Sequence, residues 1–266
     1  MAETGIERIA SAFAAARAEG RAALMPYLMG GFPDHETSAA VIDAYADTGA
    51  DLIELGVPYS DPLADGPQIH AAATAALEAG ARFESVMELC ERVSARVPVL
   101  PMVYANVVLT LGPERFAAAL EAAGAAGAIV PDLPRAEDPA VAGALLERGL
   151  APIGFVSPTT SPARLREIAA EAVGFTYVVS LTGVTGERAE LPPELGAMVT
   201  SVREASDAPA AVGFGIGTPE QAARVGAIAD GVIIGTRLVR AVADAPDRDA
   251  AVDAVSAFMA DTRMAL

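Results

Sequence analysis

Short apolar runs alternate with alanine-rich helical stretches eight times in 266 residues, and this predicts an α/β chain folded as a single-domain (β/α)8 barrel of the TIM type over residues 1–266. Three observations carry the prediction. Each apolar run ends in a Pro/Gly loop before the next helical stretch begins. No linker or composition break divides the chain. The first run lacks the G-x-G-x-x-G turn of a dinucleotide-binding open sheet, and glycine-rich strand ends come late instead.

The segment MAETGIERIASAF is an amphipathic extra helix without the apolar region of a signal peptide. The expected strands are Ala22–Met29, Asp51–Val57, Val97–Tyr104, Ala128–Leu133, Ala151–Val156, Phe175–Ser180, Ala208–Phe214 and Gly231–Gly235. Helical stretches between them include Glu36–Thr48, Ser85–Arg96, Pro113–Ala123, Pro139–Arg148, Pro162–Glu171, Pro193–Ser206 and Pro219–Val225. Several open on proline, whose missing N–H is not needed in a first turn. The long second step leaves room for another extra helix, Pro67–Ala79.

The formal charge is −17, from 35 acids and 18 bases, and every base is arginine. That balance speaks against nucleic acid as a partner, because phosphate neutralisation needs clustered bases. No apolar run approaches the length of a membrane helix. One cysteine, Cys90, forms no internal disulfide, and His35 and His70 stand in no metal-spaced pair. These features lead to the expectation of a cytoplasmic protein with no membrane contact and no metal.

In such a barrel the chemistry sits at the carboxyl ends of the strands. Two acids fall there, in DLIELGVPYSDPLADGP. By alternation Glu54 shares a strand face with Leu52 and Gly56 and can point into the barrel. An interior acid is either paired with arginine or working, and desolvation would raise its pKa toward neutrality. Asp65 precedes Gly66 and by itself reads as a turn former sooner than as a working acid. Glycines cluster at Gly183–Gly186, Gly213–Gly217 and Gly235, the last followed by Thr236 at the start of a helix. Together they suit a phosphate, held by backbone N–H groups and a helix dipole. For Tyr104 and Tyr177 core packing is the default reading, and Asp132, ending the fourth strand, can orient a neighbour.

ELGVPYSDPLADGP, YAN, VPDLP, SLTGVTG, GFGIGTPEQ and GVIIGT, in that order, resemble the tryptophan synthase alpha subunit family from Pro26 to about Val239. The resemblance implies a barrel lyase that cleaves indole-3-glycerol phosphate to indole and glyceraldehyde 3-phosphate. It implies no cofactor of its own, with pyridoxal phosphate expected only in a beta subunit, its partner in an αββα hetero-tetramer. Carried over, Glu54 and Asp65 are the catalytic acids and Tyr177 neighbours the glutamate. Thr185, Gly186, Gly215, Gly235 and Thr236 bind substrate, the last standing where the family often has serine. Leu181–Pro192 is a candidate lid, without the arginine that many members carry near its start. Leu24 and Met102 line the indole pocket, and Pro58, Asp61 and Asn106 lie near loops that face the beta subunit. The residues leave other readings open: a stand-alone lyase, a silent regulatory barrel, or another phosphosugar enzyme.

Overall fold

The computed structural model describes residues 3–134, 137–179, 193–213 and 215–266. The chain runs α1 (Gly5–Ala18), β1 (Ala23–Met29), α2 (His35–Asp47), β2 (Ile53–Gly56), α3 (Pro67–Glu78), α4 (Phe83–Ser94) and β3 (Val99–Met102). It continues through α5 (Ala105–Leu111), α6 (Pro113–Ala122), β4 (Gly127–Ala128), α7 (Pro139–Glu147), β5 (Ala151–Pro152), β6 (Gly154–Val156) and α8 (Pro162–Ala170). It ends with β7 (Thr176–Val179), α9 (Pro193–Ala205), β8 (Ala210–Gly213), α10 (Pro219–Gly226), β9 (Gly231–Ile234), α11 (Thr236–Asp244) and α12 (Arg248–Ala265).

Seven strands pair in the order β3-β2-β1-β9-β8-β7-β6, all parallel, and β4 pairs with β5. The ring closes between β3 and β4, where Val103 N–H donates to the Ile129 carbonyl at 2.9 Å and Ala126 N–H to the Val99 carbonyl at 2.8 Å. The single expected fifth strand is two pieces, β5 and β6, broken at Ile153. Pro152 has no N–H to give a second neighbour, so the run pairs first with β4 and then with β7. With β5 and β6 counted as one position, the ring holds the eight strands that the sequence predicts. The expected fourth strand shrinks to Gly127–Ala128 plus a bridge at Ile129, and the segment Pro131 onward is loop.

Alternation along the strands builds two apolar layers. Met25, Leu52, Leu100, Ile129, Phe175 and Ile233 fill the barrel interior. Ile9 and Phe13 of α1 plug its amino-terminal end, Phe13 lying 5.6 Å from the Phe175 ring. Residues of the opposite strand phase, such as Leu24, Ile53, Leu55 and Val212, pack outward against the helices. Polar side chains fix several helix starts: Asp34 accepts from Thr37 N–H at 2.8 Å ahead of α2, and Asp247 from Ala250 N–H at 2.8 Å ahead of α12. The barrel is thereby packed at one end and open at the other, above Glu54.

Candidate active site

Glu54 is the second residue of β2 and points inward above Leu52, as alternation requires. It is only 2% exposed. Among the described residues no arginine acts on it; its carboxylate is hydrogen-bonded by the Tyr177 hydroxyl. Tyr177 stands on β7, four places round the ring from β2, so this bond crosses the barrel. Burial pushes the Glu54 carboxyl up to about 8, the nearby Asp65 charge adds to the rise, and the Tyr177 bond opposes it. Glu54 is therefore largely protonated at neutral pH.

Asp65 lies in the loop between β2 and α3, just before Gly66, the residue that starts the helix without a side-chain cap. Burial holds its pKa above the ordinary carboxylate range, while a hydrogen bond from Tyr104 and the charge of His70 pull it down. The Asp65 charge lies close enough to disfavour ionisation of Glu54.

Both acids line a cavity of about 310 Å³ at the open end of the barrel. Tyr27, Met102, Pro131, Phe155, Tyr177 and Ile233 give it an apolar and aromatic wall. Phe155 and Tyr177 stack with ring centroids 4.9 Å apart and planes at 28°. Two glycines make room for phenols: a Cβ on Gly56 would lie 2.2 Å from the Tyr27 hydroxyl, and one on Gly213 would lie 2.8 Å from the Tyr177 hydroxyl. Gly215, Gly235 and Thr236 complete the lining. Gly235 and Thr236 open α11, whose first N–H groups have no partner within the helix. The cavity thus offers a flat apolar chamber, two acids and an anion-binding helix end.

Of the predicted site residues, Glu54, Asp65, Tyr177, Gly215, Gly235 and Thr236 come together around this one cavity. Thr185 and Gly186, with Gly183 and the candidate lid Leu181–Pro192, lie outside the described residues. Three expectations need correction. Leu24 does not line the pocket; it packs outward, and the same strand presents Tyr27 instead. Gly217 gives its N–H to the Gln221 side chain at 2.7 Å, so it serves the turn before α10 and not an anion. Tyr104 and Tyr177 are more than core packing, since each hydroxyl bonds one of the acids. Asp132 does orient a neighbour: it accepts from Ala105 N–H at 2.8 Å. Phe155 and Tyr27 were missed. Parallel register is the signal that finds Tyr27, because it stands beside Glu54 on the neighbouring strand.

A larger groove of about 470 Å³ runs down the outside of the barrel between α7 and α8. It meets the inner cavity only at Pro131 and Phe155 and contains neither Glu54 nor Asp65. Size does not make it the reacting centre; the acids do.

A sequence model for the family described as tryptophan synthase alpha chain matches residues 13–265. The chain is 46% identical to the tryptophan synthase alpha chain of Gloeobacter violaceus, over 90% of this chain and 87% of that one. It is 42% identical to the tryptophan synthase alpha chain of Synechococcus elongatus, over 97% of this chain and 96% of that one. Among solved structures, Mycobacterium tuberculosis tryptophan synthase superposes with a TM-score of 0.90 at 37% identity, covering 97% of each chain.

Proposed function

The chain belongs to the tryptophan synthase alpha chain family, and from that premise we propose that Glu54 and Asp65 carry the family reaction, retro-aldol cleavage of indole-3-glycerol phosphate to indole and glyceraldehyde 3-phosphate. The observation that supports this most directly is Glu54 itself: buried, without an arginine among the described residues, and protonated at neutral pH inside a cavity that also holds Asp65.

The bond to be broken joins indole C3 to the carbon that bears the first side-chain hydroxyl. Protonated Glu54 gives its proton to C3, and the ring becomes an indoleninium cation. The Glu54 carboxylate then accepts the hydroxyl proton while the C–C bond breaks. The bonding electrons return to the ring, and the hydroxyl carbon becomes the aldehyde. Glu54 ends protonated, as it began. A pKa near 8 suits a group that must give and take one proton. Asp65, ionised, accepts from the indole N–H and stabilises the cation. The bonding electrons stay with the indole ring and the protons pass through Glu54, so this reading assigns the chain no cofactor of its own. The N-terminus of α11, with Thr236 and Gly215, receives the phosphate and supplies binding energy remote from the reacting bond.

The partner is a beta subunit that takes the indole in an αββα assembly. Support lies on the rim around the cavity. Leu63 is 85% exposed in the loop after β2, and Leu109 is 52% exposed on α5 after β3. Asp61 and Asn106 are exposed beside them, whereas Pro58 is buried. Large apolar side chains left in water at one rim suit a protein partner. No described helix is long and apolar enough to cross a membrane.

The test is direct. The purified chain, given indole-3-glycerol phosphate, should release indole and glyceraldehyde 3-phosphate in equal amounts, and adding a beta subunit should raise the rate. Absence of indole under both conditions overturns the proposal. Indole at a rate that the beta subunit leaves unchanged identifies a stand-alone lyase.

A further inference from the structure

The loop that carries Asp65 is attached at both ends to a single ring. Near its start, Tyr59 stacks on Tyr104, with centroids 5.4 Å apart and planes at 27°. Near its end, Ala64 N–H donates to the Tyr104 hydroxyl at 3.2 Å, and that hydroxyl donates to the Asp65 carboxylate. One lone pair takes the amide and the one proton goes to the acid, so the phenol is satisfied in both roles. Tyr104 is itself held firmly. It is 4% exposed and stands at the start of α5, where the next residue's N–H is gripped by Asp132. Tyr59 is only partly buried and is followed by the exposed Ser60 and Asp61.

We infer that Tyr104 is the positioning residue for Asp65, and that Tyr59 braces Tyr104 from the outer loop. The inference rests on the reading of Asp65 as a catalytic residue. A carboxylate on a proline-rich loop has no strand or helix to fix it, yet stabilising a ring cation requires a fixed charge. The tyrosine pair supplies what the backbone lacks. It also gives the outer face of the loop, Ser60 to Leu63, a mechanical route to Asp65, because pressure there moves Tyr59 first.

Tyr104→Phe keeps the ring and removes the hydroxyl. Loss of a donor to an ionised acceptor should lower kcat for indole formation roughly ten-fold, with little change in KM. It should also raise the titration midpoint of Asp65, followed by carboxyl carbon NMR and assigned against Asp65→Asn. Tyr59→Leu should act in the same direction, roughly three-fold, and should add little in the Tyr104→Phe background, because both act through one contact. An unchanged Asp65 midpoint in Tyr104→Phe overturns the assignment of Tyr104. An equal effect of Tyr59→Leu in both backgrounds overturns the brace. If Tyr104→Phe does not fold, the Asp65 midpoint in Tyr59→Leu decides alone, and a shift upward is the supporting result. The carboxyl titration does not depend on turnover. A wild-type chain that makes no indole would therefore sink the proposed function while leaving this contact measurable.

Discussion

Asp51 and Glu54 are three residues apart on one strand run and have opposite fates. Asp51 sits at the closed end of the barrel. Its carboxylate takes two bonds from Arg21, at 2.5 and 2.8 Å, and one from Leu24 N–H at 2.7 Å, with Arg263 at 3.6 Å. Glu54 sits at the open end, more deeply buried, with a phenol and, among the described residues, no arginine beside it. At the closed end charge is paired and ties α1, β1, β2 and α12 together. At the open end the partner is withheld, and the acid keeps a proton that it can give away. The difference is chemical and not one of burial alone: an arginine beside Glu54 would hold it ionised and remove its use as an acid.

The sharpest way to break this contrast is Glu54→Gln. The amide keeps the shape and can still accept from Tyr177, but it cannot move a proton. Indole formation should fall by roughly 10² to 10⁴-fold, about 3–5 kcal/mol of barrier, the usual range for loss of an acid–base group. Substrate binding and thermal stability should hold. Near-normal turnover in the Glu54→Gln variant would mean that the open-end acid is structural like its neighbour below.

The contrast also marks what sequence patterns disclose. Barrel strands are buried on both faces, so their apolar runs carry no polar–apolar alternation to set their phase. Glu54 is the exception; as the acid within its run it reveals which face of β2 points inward, and the inward reading holds. β1 has no such marker, so nothing in its pattern corrects the resemblance-based placing of Leu24 at the pocket, where Tyr27 stands. The strand count survived even though Pro152 cuts the fifth run, because each piece still finds a parallel neighbour. The loop was least legible. Asp65–Gly66 reads as a turn, and only the approach of Tyr104 from the third strand's end distinguishes it from one. That contact is tertiary, and no local spacing encodes it. Helix α5 was not foreseen either: ANVVLTL is rich in β-branched residues that favour strands, and its helical form is imposed by the Asp132 anchor and packing of Val108.

A second test reads the contrast through pH. Glu54 titrates near 8 in the folded chain against an ordinary 4.5. A carboxyl whose folded pKa is raised contributes stability that is fully present below about 4.5 and is lost as pH rises through about 8. The folded state holds the proton through that window and the unfolded state does not. The loss amounts to ~5 kcal/mol between the two limits. Urea unfolding of wild type and Glu54→Gln across about pH 5 to 9 checks this. The difference between the two should change over that window, with wild type losing ground as pH rises. Parallel curves would show that Glu54 ionises normally and that its environment resembles that of Asp51.

The smallest effect belongs to the closed end, and it runs in the opposite direction. Asp51→Asn keeps an oxygen for Leu24 N–H but leaves Arg21 without its counter-charge. The Arg21 side chain is 7% exposed and that of Asp51 10%, so the stranded guanidinium has little water to turn to. Removing one member of a pair so placed should cost roughly 3 kcal/mol, somewhat eased by Glu19, which also meets Arg21 at 2.8 Å. For a chain of this length that corresponds to a fall of about 10 °C in Tm. Activity per folded molecule should not change, because the cavity lies beyond Leu52 and the interior apolar layer. Scanning calorimetry and an indole assay on the same preparation measure both. If Asp51→Asn lost turnover while keeping its Tm, the division of one strand into a structural and a reacting end would fail. With the predicted result, the two substitutions fail in complementary ways: Glu54→Gln folds without reacting, and Asp51→Asn reacts for as long as it stays folded.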